Sequence, residues 1–136
     1  MSLRRKSREF ALQMLFQWEM TAKKPALLEA GFWKQQRAEK STRTFANQLF
    51  EGAVAETAAI DELLKKHSKN WRMDRMAAID RSILRLGIYE LRSSDTPAKV
   101  VINEALELAK KFSNEESGPF INGILDAVHK SLAKEG

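Results

Sequence analysis

The sequence IDRSILRLGIYEL, residues 79–91, carries the strongest fold signal in the chain. Its apolar residues recur at the three- and four-residue spacing of an α-helix, and they form two stripes rather than one. A helix with two apolar stripes packs against more than one neighbour. We therefore predict a central helix that has Asp74 as its N-cap and ends near Ser93. The stripes contain Met76, Ile79, Ile83 and Leu86 in one case, and Ala77, Leu84, Ile88 and Leu91 in the other.

The sequence on both sides of this segment has the same helical periodicity. Gly52 is the predicted site of a bend in the third helix, which is unusually long, and Trp71 is the predicted anchor of a connector. Residues 113–118 are a predicted polar loop. Short loops between six or seven helices indicate an all-α compact bundle, in one domain of residues 1–136. Besides the central helix, the predicted helices are residues 5–20, 26–36, 41–67, 97–112 and a last helix that starts at Pro119.

The composition excludes several classes of protein. The 136 residues are 43% hydrophobic and 30% charged, which is typical of a globular domain. Because the chain has no cysteine, disulfides and thiolate metal sites are excluded, and a reducing, cytoplasmic location is indicated. No uninterrupted apolar segment reaches the roughly 20 residues of a membrane span. His67 and His129 have no metal-ligand spacing around them, so the sequence predicts neither an enzyme nor a cofactor.

Positive charge is concentrated at the amino terminus. The formal net charge is +5, and residues 1–10 hold Arg4, Arg5, Lys6 and Arg8 against Glu9 alone. Cations are disfavoured at a helix N-terminus, because the helix dipole is positive there. A local rule broken in this way often marks a functional site. We predict a cationic edge beside the apolar stripe that binds an anion, and the alternative is a frayed basic tail that aids solubility.

Two further features of the sequence allow a functional and a structural interpretation. Arg81, Arg85 and Arg92 fall on one side of the central helix, either as a second basic row of the binding surface or as a solvated face. Phe120 lies at the margin of the last helix's apolar stripe. Its ring belongs either to the core or to a partly exposed surface on which a base could stack.

Asp80 is anomalous because helical spacing places it inside an apolar face. A carboxylate in such a position must be paired, hydrogen-bonded or used at an interface. A structural ion pair with an arginine is one interpretation, and a contact to a protein partner is the other.

Four blocks of the sequence resemble the bacterial transcription antitermination factor NusB family. The blocks occur in the family's order and together extend over nearly the whole chain, although residues 20–41 contribute nothing to the resemblance. They are RRKSREFALQMLFQ at 4–17, DRSILRLGIYEL at 80–91, VINEALELAKKF at 101–112 and FINGILD at 120–126.

The resemblance implies a fold of two packed helical subdomains and a role in transcription. It implies binding to boxA RNA of nascent ribosomal RNA transcripts together with the ribosomal protein NusE, and indirect association with RNA polymerase and other Nus factors. Ser7 and Pro119 depart from the family's usual residues, and Pro119 weakens the transfer of fine RNA contacts to its loop. The RNA-binding residues that the resemblance implies are Arg4, Arg5, Lys6, Arg8, Glu116, Ser117 and Phe120, and the basic row of the central helix adds Arg85 to this prediction. The resemblance implies that Asp80 faces the protein partner, and we predict that Arg81 and Leu84 bind the partner beside it.

Two alternatives to this function stay open at the level of sequence. A NusB-like domain also occurs at the front of certain ribosomal RNA cytosine methyltransferases, and a DNA-binding protein could use one basic helix in the major groove. Some members of the family self-associate, so the sequence leaves the choice between monomer and homodimer open.

Overall fold

The structure, a computed structural model, describes residues 3–68 and 75–135. Within these ranges it contains seven α-helices and no strand, which confirms the predicted all-α class. None of the helices in these ranges is long and apolar enough to cross a membrane. The helices are α1 (Leu3–Thr21), α2 (Pro25–Gln35), α3 (Lys40–Ala55), α4 (Thr57–His67), α5 (Ala78–Ser93), α6 (Ala98–Phe112) and α7 (Ser117–Glu135).

Helix α5 lies at the centre of the bundle, as its two apolar stripes predict. It packs against α1, α3, α4, α6 and α7, and Ile83, Leu84 and Ile88 are fully buried. Its first residue in the structure is Ala78, so the helix starts later than predicted. The predicted roles of Trp71 and Asp74 lie outside the described residues.

The helices form two packed groups joined through α5, as the resemblance implies. In the first group, α1 packs along α3 and against α2, and the Ser7 hydroxyl donates a hydrogen bond of 2.9 Å to the carbonyl oxygen of Thr42 in α3. In the second group, α4, α6 and α7 pack around α5. Ser7 therefore contributes a hydrogen bond that holds α1 against α3.

The prediction of one long third helix is wrong, because the helix is interrupted at Glu56, which separates α3 from α4. Gly52 has a different role from the predicted bend. A Cβ atom at this position would overlap with the outer end of the Tyr89 ring of α5, so the glycine leaves room for that ring against α3. The last helix also differs from the prediction, because it begins at Ser117 and shortens the loop before it to residues 113–116.

Candidate nucleic-acid interface

Arg8 is buried, which contradicts its predicted place on an exposed cationic edge. Only 4% of the residue is exposed. Its guanidinium donates two hydrogen bonds of 2.8 Å to the carboxylate of Glu90 in α5, and Glu104 of α6 lies 3.7 Å away. Burial opposes the charged form, but the bonds with Glu90 outweigh it and keep the pKa of Arg8 above its ordinary value. This ion pair joins α1 to α5, and it leaves Arg8 no free face for RNA.

Arg5 lies between the buried and the exposed parts of the first turn. Its side chain is partly exposed, and it donates hydrogen bonds of 2.7 and 3.2 Å to the Glu104 carboxylate. The hydrogen bond and charge of Glu104 raise the pKa of Arg5. Arg5 therefore joins α1 to α6, with part of its guanidinium open to solvent.

Arg4 and Lys6 are the exposed cations of the run. The Arg4 guanidinium lies 4.6 Å from the centroid of the Phe45 ring in α3, in the geometry of a cation–π contact. The Lys6 ammonium lies 3.8 Å from the buried carboxylate of Glu9, which Lys111 of α6 contacts more closely at 2.8 Å. Arg4 and Lys6, together with the exposed part of Arg5, form the surface that we call the cationic tip.

The basic row of α5 is not a free surface, because each of its members is ion-paired. Arg81 pairs with Glu19, and Arg92 pairs with Glu56. Arg85 donates hydrogen bonds of 2.8 and 2.9 Å to the Asp61 carboxylate. The predicted RNA contact by Arg85 and partner contact by Arg81 therefore fall on side chains that join α5 to α1 and α4.

Asp80 and Leu84 are buried, so the structure corrects their assignment to a partner-binding surface. Leu84 is fully buried in the core, and Asp80 is 5% exposed. The Oδ2 atom of Asp80 accepts a hydrogen bond of 2.9 Å from the Ser117 hydroxyl, and Oδ1 has no partner among the described residues. A hydroxyl group thus takes the place of the arginine that the structural interpretation of Asp80 predicted.

The loop between α6 and α7 is organised by Ser117, which is itself buried. Ser117 is the first residue of α7, and its backbone N–H donates a hydrogen bond of 3.1 Å to the side-chain oxygen of Asn114 in the loop. Glu116 is exposed and Phe120 is half-buried, packed against the core. Of the three predicted RNA-contacting residues in this region, Glu116 and Phe120 reach the surface and Ser117 does not.

Sequence reasoning missed the contact between Arg4 and α3. The apolar periodicity of residues 41–67 predicts the packing of Phe45 against the core but not the cation above its ring. An aromatic residue at the start of a helix is no signal by itself. The pairing depends on how α1 lies against α3, which the sequence does not encode locally.

The fold and the cationic tip define an all-helical protein with a surface suited to an anionic ligand. The model of the NusB family matches residues 5–130, which is nearly the whole chain. The chain belongs to the NusB family.

Curated relatives and solved structures agree with this assignment. The chain is 48% identical over 134 residues to the transcription antitermination protein NusB of Koribacter versatilis, covering 97% of this chain and 92% of the relative. It is also 48% identical over 139 residues to the transcription antitermination protein NusB of Myxococcus xanthus, covering 98% of this chain and 99% of the relative. Among solved structures, NusB from Aquifex aeolicus is similar with a TM-score of 0.87 and 29% identity, covering 100% of this chain and 93% of the other. A chain in the crystal structure of antitermination factors NusB and NusE in complex with dsRNA gives a TM-score of 0.86 at 29% identity, covering 96% and 98%.

Proposed function

We propose that this protein is a transcription antitermination factor that binds boxA RNA of nascent ribosomal RNA transcripts together with the ribosomal protein NusE. In this role it suppresses premature termination, with RNA polymerase and other Nus factors associated indirectly. The names of the curated relatives and the solved complex of NusB, NusE and dsRNA support the proposal. The observation that carries it in this chain is the cationic tip, where Arg4 and Lys6 remain exposed at the start of α1.

The residues of the RNA site divide into contacts and supports. Arg4 and Lys6 supply charge for the phosphates, with help from the exposed part of Arg5. Glu116 has the wrong sign for a phosphate, but its carboxylate can accept hydrogen bonds from base amino groups and 2′-hydroxyls. Phe120 offers part of its ring for stacking. These contacts lie on α1, on the loop before α7 and in the first turn of α7.

The supporting residues act from inside the bundle. Arg8 fixes α1 against α5 through Glu90, and Ser117 fixes the start of α7 against Asp80. Because Asp80 and Leu84 are buried, we assign the contact with NusE to surface residues other than these two. The protein acts by binding rather than by catalysis, and its action on nascent transcripts places it in the cytoplasm.

A gel-shift comparison tests this function directly. A boxA RNA, a scrambled RNA of the same length and a duplex DNA are each titrated with the protein, with and without NusE. We expect the boxA RNA to bind most tightly and NusE to strengthen that binding. Equal affinity for the boxA and scrambled RNAs, in the presence and absence of NusE, would contradict the proposal.

A further inference from the structure

Phe45 and Arg4 separate two surface clefts at the junction of α1 and α3. One cleft has a volume of about 690 Å³ and the other about 680 Å³, and Arg4, Phe45 and Gln48 line both. The Phe45 ring is half-buried and packs against the core. The guanidinium of Arg4 lies over this ring, and no ion pair engages it among the described residues.

The two clefts differ in charge. The larger one contains the carboxylates of Glu90, Asp95 and Glu104, which disfavour a phosphate. The smaller one has no acidic residue in its lining, and there Lys40 joins Arg4 beside hydroxyl and amide side chains. Lys40 is exposed and forms no ion pair with the described residues. The acid-free cleft is therefore the side of Phe45 that suits an anionic ligand.

The start of α3 adds to the positive potential of this cleft. Lys40 is the first residue of α3, and the first turn contains no acidic residue, whereas the N-cap residue Glu39 is acidic but makes no capping hydrogen bond with its side chain. Backbone N–H groups at a helix N-terminus attract phosphate oxygens. Lys40, Ser41 and Thr44 from this end of α3 line the acid-free cleft, so both the Lys40 side chain and the start of the helix border it.

We propose that Arg4 and Phe45 form a stacking platform for one nucleobase of single-stranded RNA, with Lys40 on the adjacent phosphate. The base stacks on the outer face of the guanidinium plane, which the aromatic ring holds in place from behind. Gln48 lies at the cleft wall, where its amide can donate to and accept from the edge of the base. This inference rests on the proposed function, and it extends the RNA surface from the tip of α1 onto α3.

A planar guanidinium and a compact ammonium have the same charge but not the same stacking surface. The decisive variant is therefore Arg4→Lys, because a contact that depends on charge alone survives it and a stacked base does not. The probe is a single-stranded boxA RNA of about 12 nucleotides, within the range that one such surface covers. Lys134→Arg is the matched control, since it exchanges the same two residue types at an exposed position near the end of α7, outside the proposed RNA surface.

We expect Arg4→Lys to weaken RNA binding by about 5- to 150-fold, the range that corresponds to loss of one base–aromatic stack. The dependence of affinity on salt should stay unchanged, because the variant keeps the charge. Phe45→Leu should weaken binding in the same way, while Phe45→Tyr should preserve it. Lys134→Arg should bind as the unmodified protein does.

An abasic scan of the RNA identifies the stacked position without altering the protein. One abasic position should weaken binding to the unmodified protein but have little further effect on Arg4→Lys, because both changes remove the same interaction. Binding by Arg4→Lys equal to that of the unmodified protein would overturn the platform and leave the charge contacts of the proposed function intact. A scan in which no position shows this coupling would overturn it as well. Failure of the proposed function is distinct, because the unmodified protein would then not distinguish boxA from scrambled RNA.

Discussion

Arg4 and Arg8 are one turn apart on α1, yet the two arginines have opposite environments. Arg8 points into the bundle and is 4% exposed, with both carboxylate oxygens of Glu90 as its partners. Arg4 lies at the surface, where its guanidinium lies 4.6 Å from the centroid of the Phe45 ring and forms no ion pair with the described residues, whereas the Arg8 guanidinium lies 5.9 Å from the same centroid. One arginine-rich run thus contributes both to the core and to the binding surface. Helical position, rather than residue type, decides which role each cation has.

The largest difference that we expect between the Arg8 and Arg4 positions is in the free energy of unfolding. Arg8→Ala leaves the Glu90 carboxylate buried without its partner, so we expect a loss of about 3–5 kcal/mol in the free energy of unfolding. Chemical denaturation followed by circular dichroism measures it. Arg4→Ala is the matched control and should cost no more than about 1 kcal/mol, the strength of an exposed cation–π contact.

A double variant sharpens this prediction. Arg8→Met combined with Glu90→Leu removes both charges and fills the space with apolar atoms, so most of the stability should return. If Arg8→Ala and Arg4→Ala lower the free energy of unfolding by the same amount, the division of the cations of α1 into buried and exposed ones is wrong.

A smaller effect is expected at the junction of α5 and α7. Ser117→Ala removes the only hydrogen bond that the Asp80 carboxylate receives from the described residues, at an expected cost of about 1–3 kcal/mol in the free energy of unfolding. Ser131→Ala, on the same helix, is the control and should stay within about 0.5 kcal/mol. Thermal denaturation of both variants measures these changes in stability. Unchanged stability together with weaker binding of NusE would instead support the interpretation of Asp80 as a partner contact.

The smallest effect concerns Glu29 of α2, whose carboxyl group interacts with that of Glu51 in α3. Burial, together with the hydrogen bond and charge of Glu51, raises the pKa of Glu29 to about 8 from an ordinary value of 4.5. The folded protein therefore binds a proton that the unfolded chain has already released between these two pH values. Its contribution to stability is complete below about pH 4.5 and falls as the pH rises towards about 8.

Glu29→Gln should flatten this part of the stability profile, because the amide keeps a hydrogen-bond donor and does not titrate. Melting temperatures measured across the same pH range test it, with the exposed Glu62→Gln on α4 as control. A variant with the same slope as the unmodified protein would show that another group causes the pH dependence.

Much of the fold could be predicted because its information is local. The two apolar stripes of α5 follow from residue spacing alone, and the burial of Ile83, Leu84, Leu86 and Ile88 confirms their central part. Their predicted first members, Met76 and Ala77, precede the helix, and Ala77 is exposed. The break at Glu56 could not be predicted in this way, because the apolar periodicity continues across it.

The candidate site was predictable only in part, because its members meet through tertiary packing. Helical spacing correctly places Arg8 on the same side of α1 as Leu12, which faces the core. Its partner Glu90, however, is 82 residues away in the sequence, and nothing near Arg8 indicates it. An arginine on an apolar stripe and a glutamate on another apolar stripe were together the available signal for a buried ion pair. Arg4 and Phe45 carried no comparable signal.

The salt dependence of RNA binding tests most directly the claim that Arg4 and Lys6, rather than the buried Arg8, supply the charge that RNA meets. Arg4→Gln combined with Lys6→Gln is compared with Lys134→Gln, which removes an exposed charge at the far end of α7. We expect the double variant to keep nearly all of its stability and to flatten the log–log salt slope by roughly 0.7 for each phosphate that is no longer neutralised. Lys134→Gln should leave the slope unchanged. A double variant with the slope of the unmodified protein would contradict the account, because the exposed cations would then neutralise no phosphate.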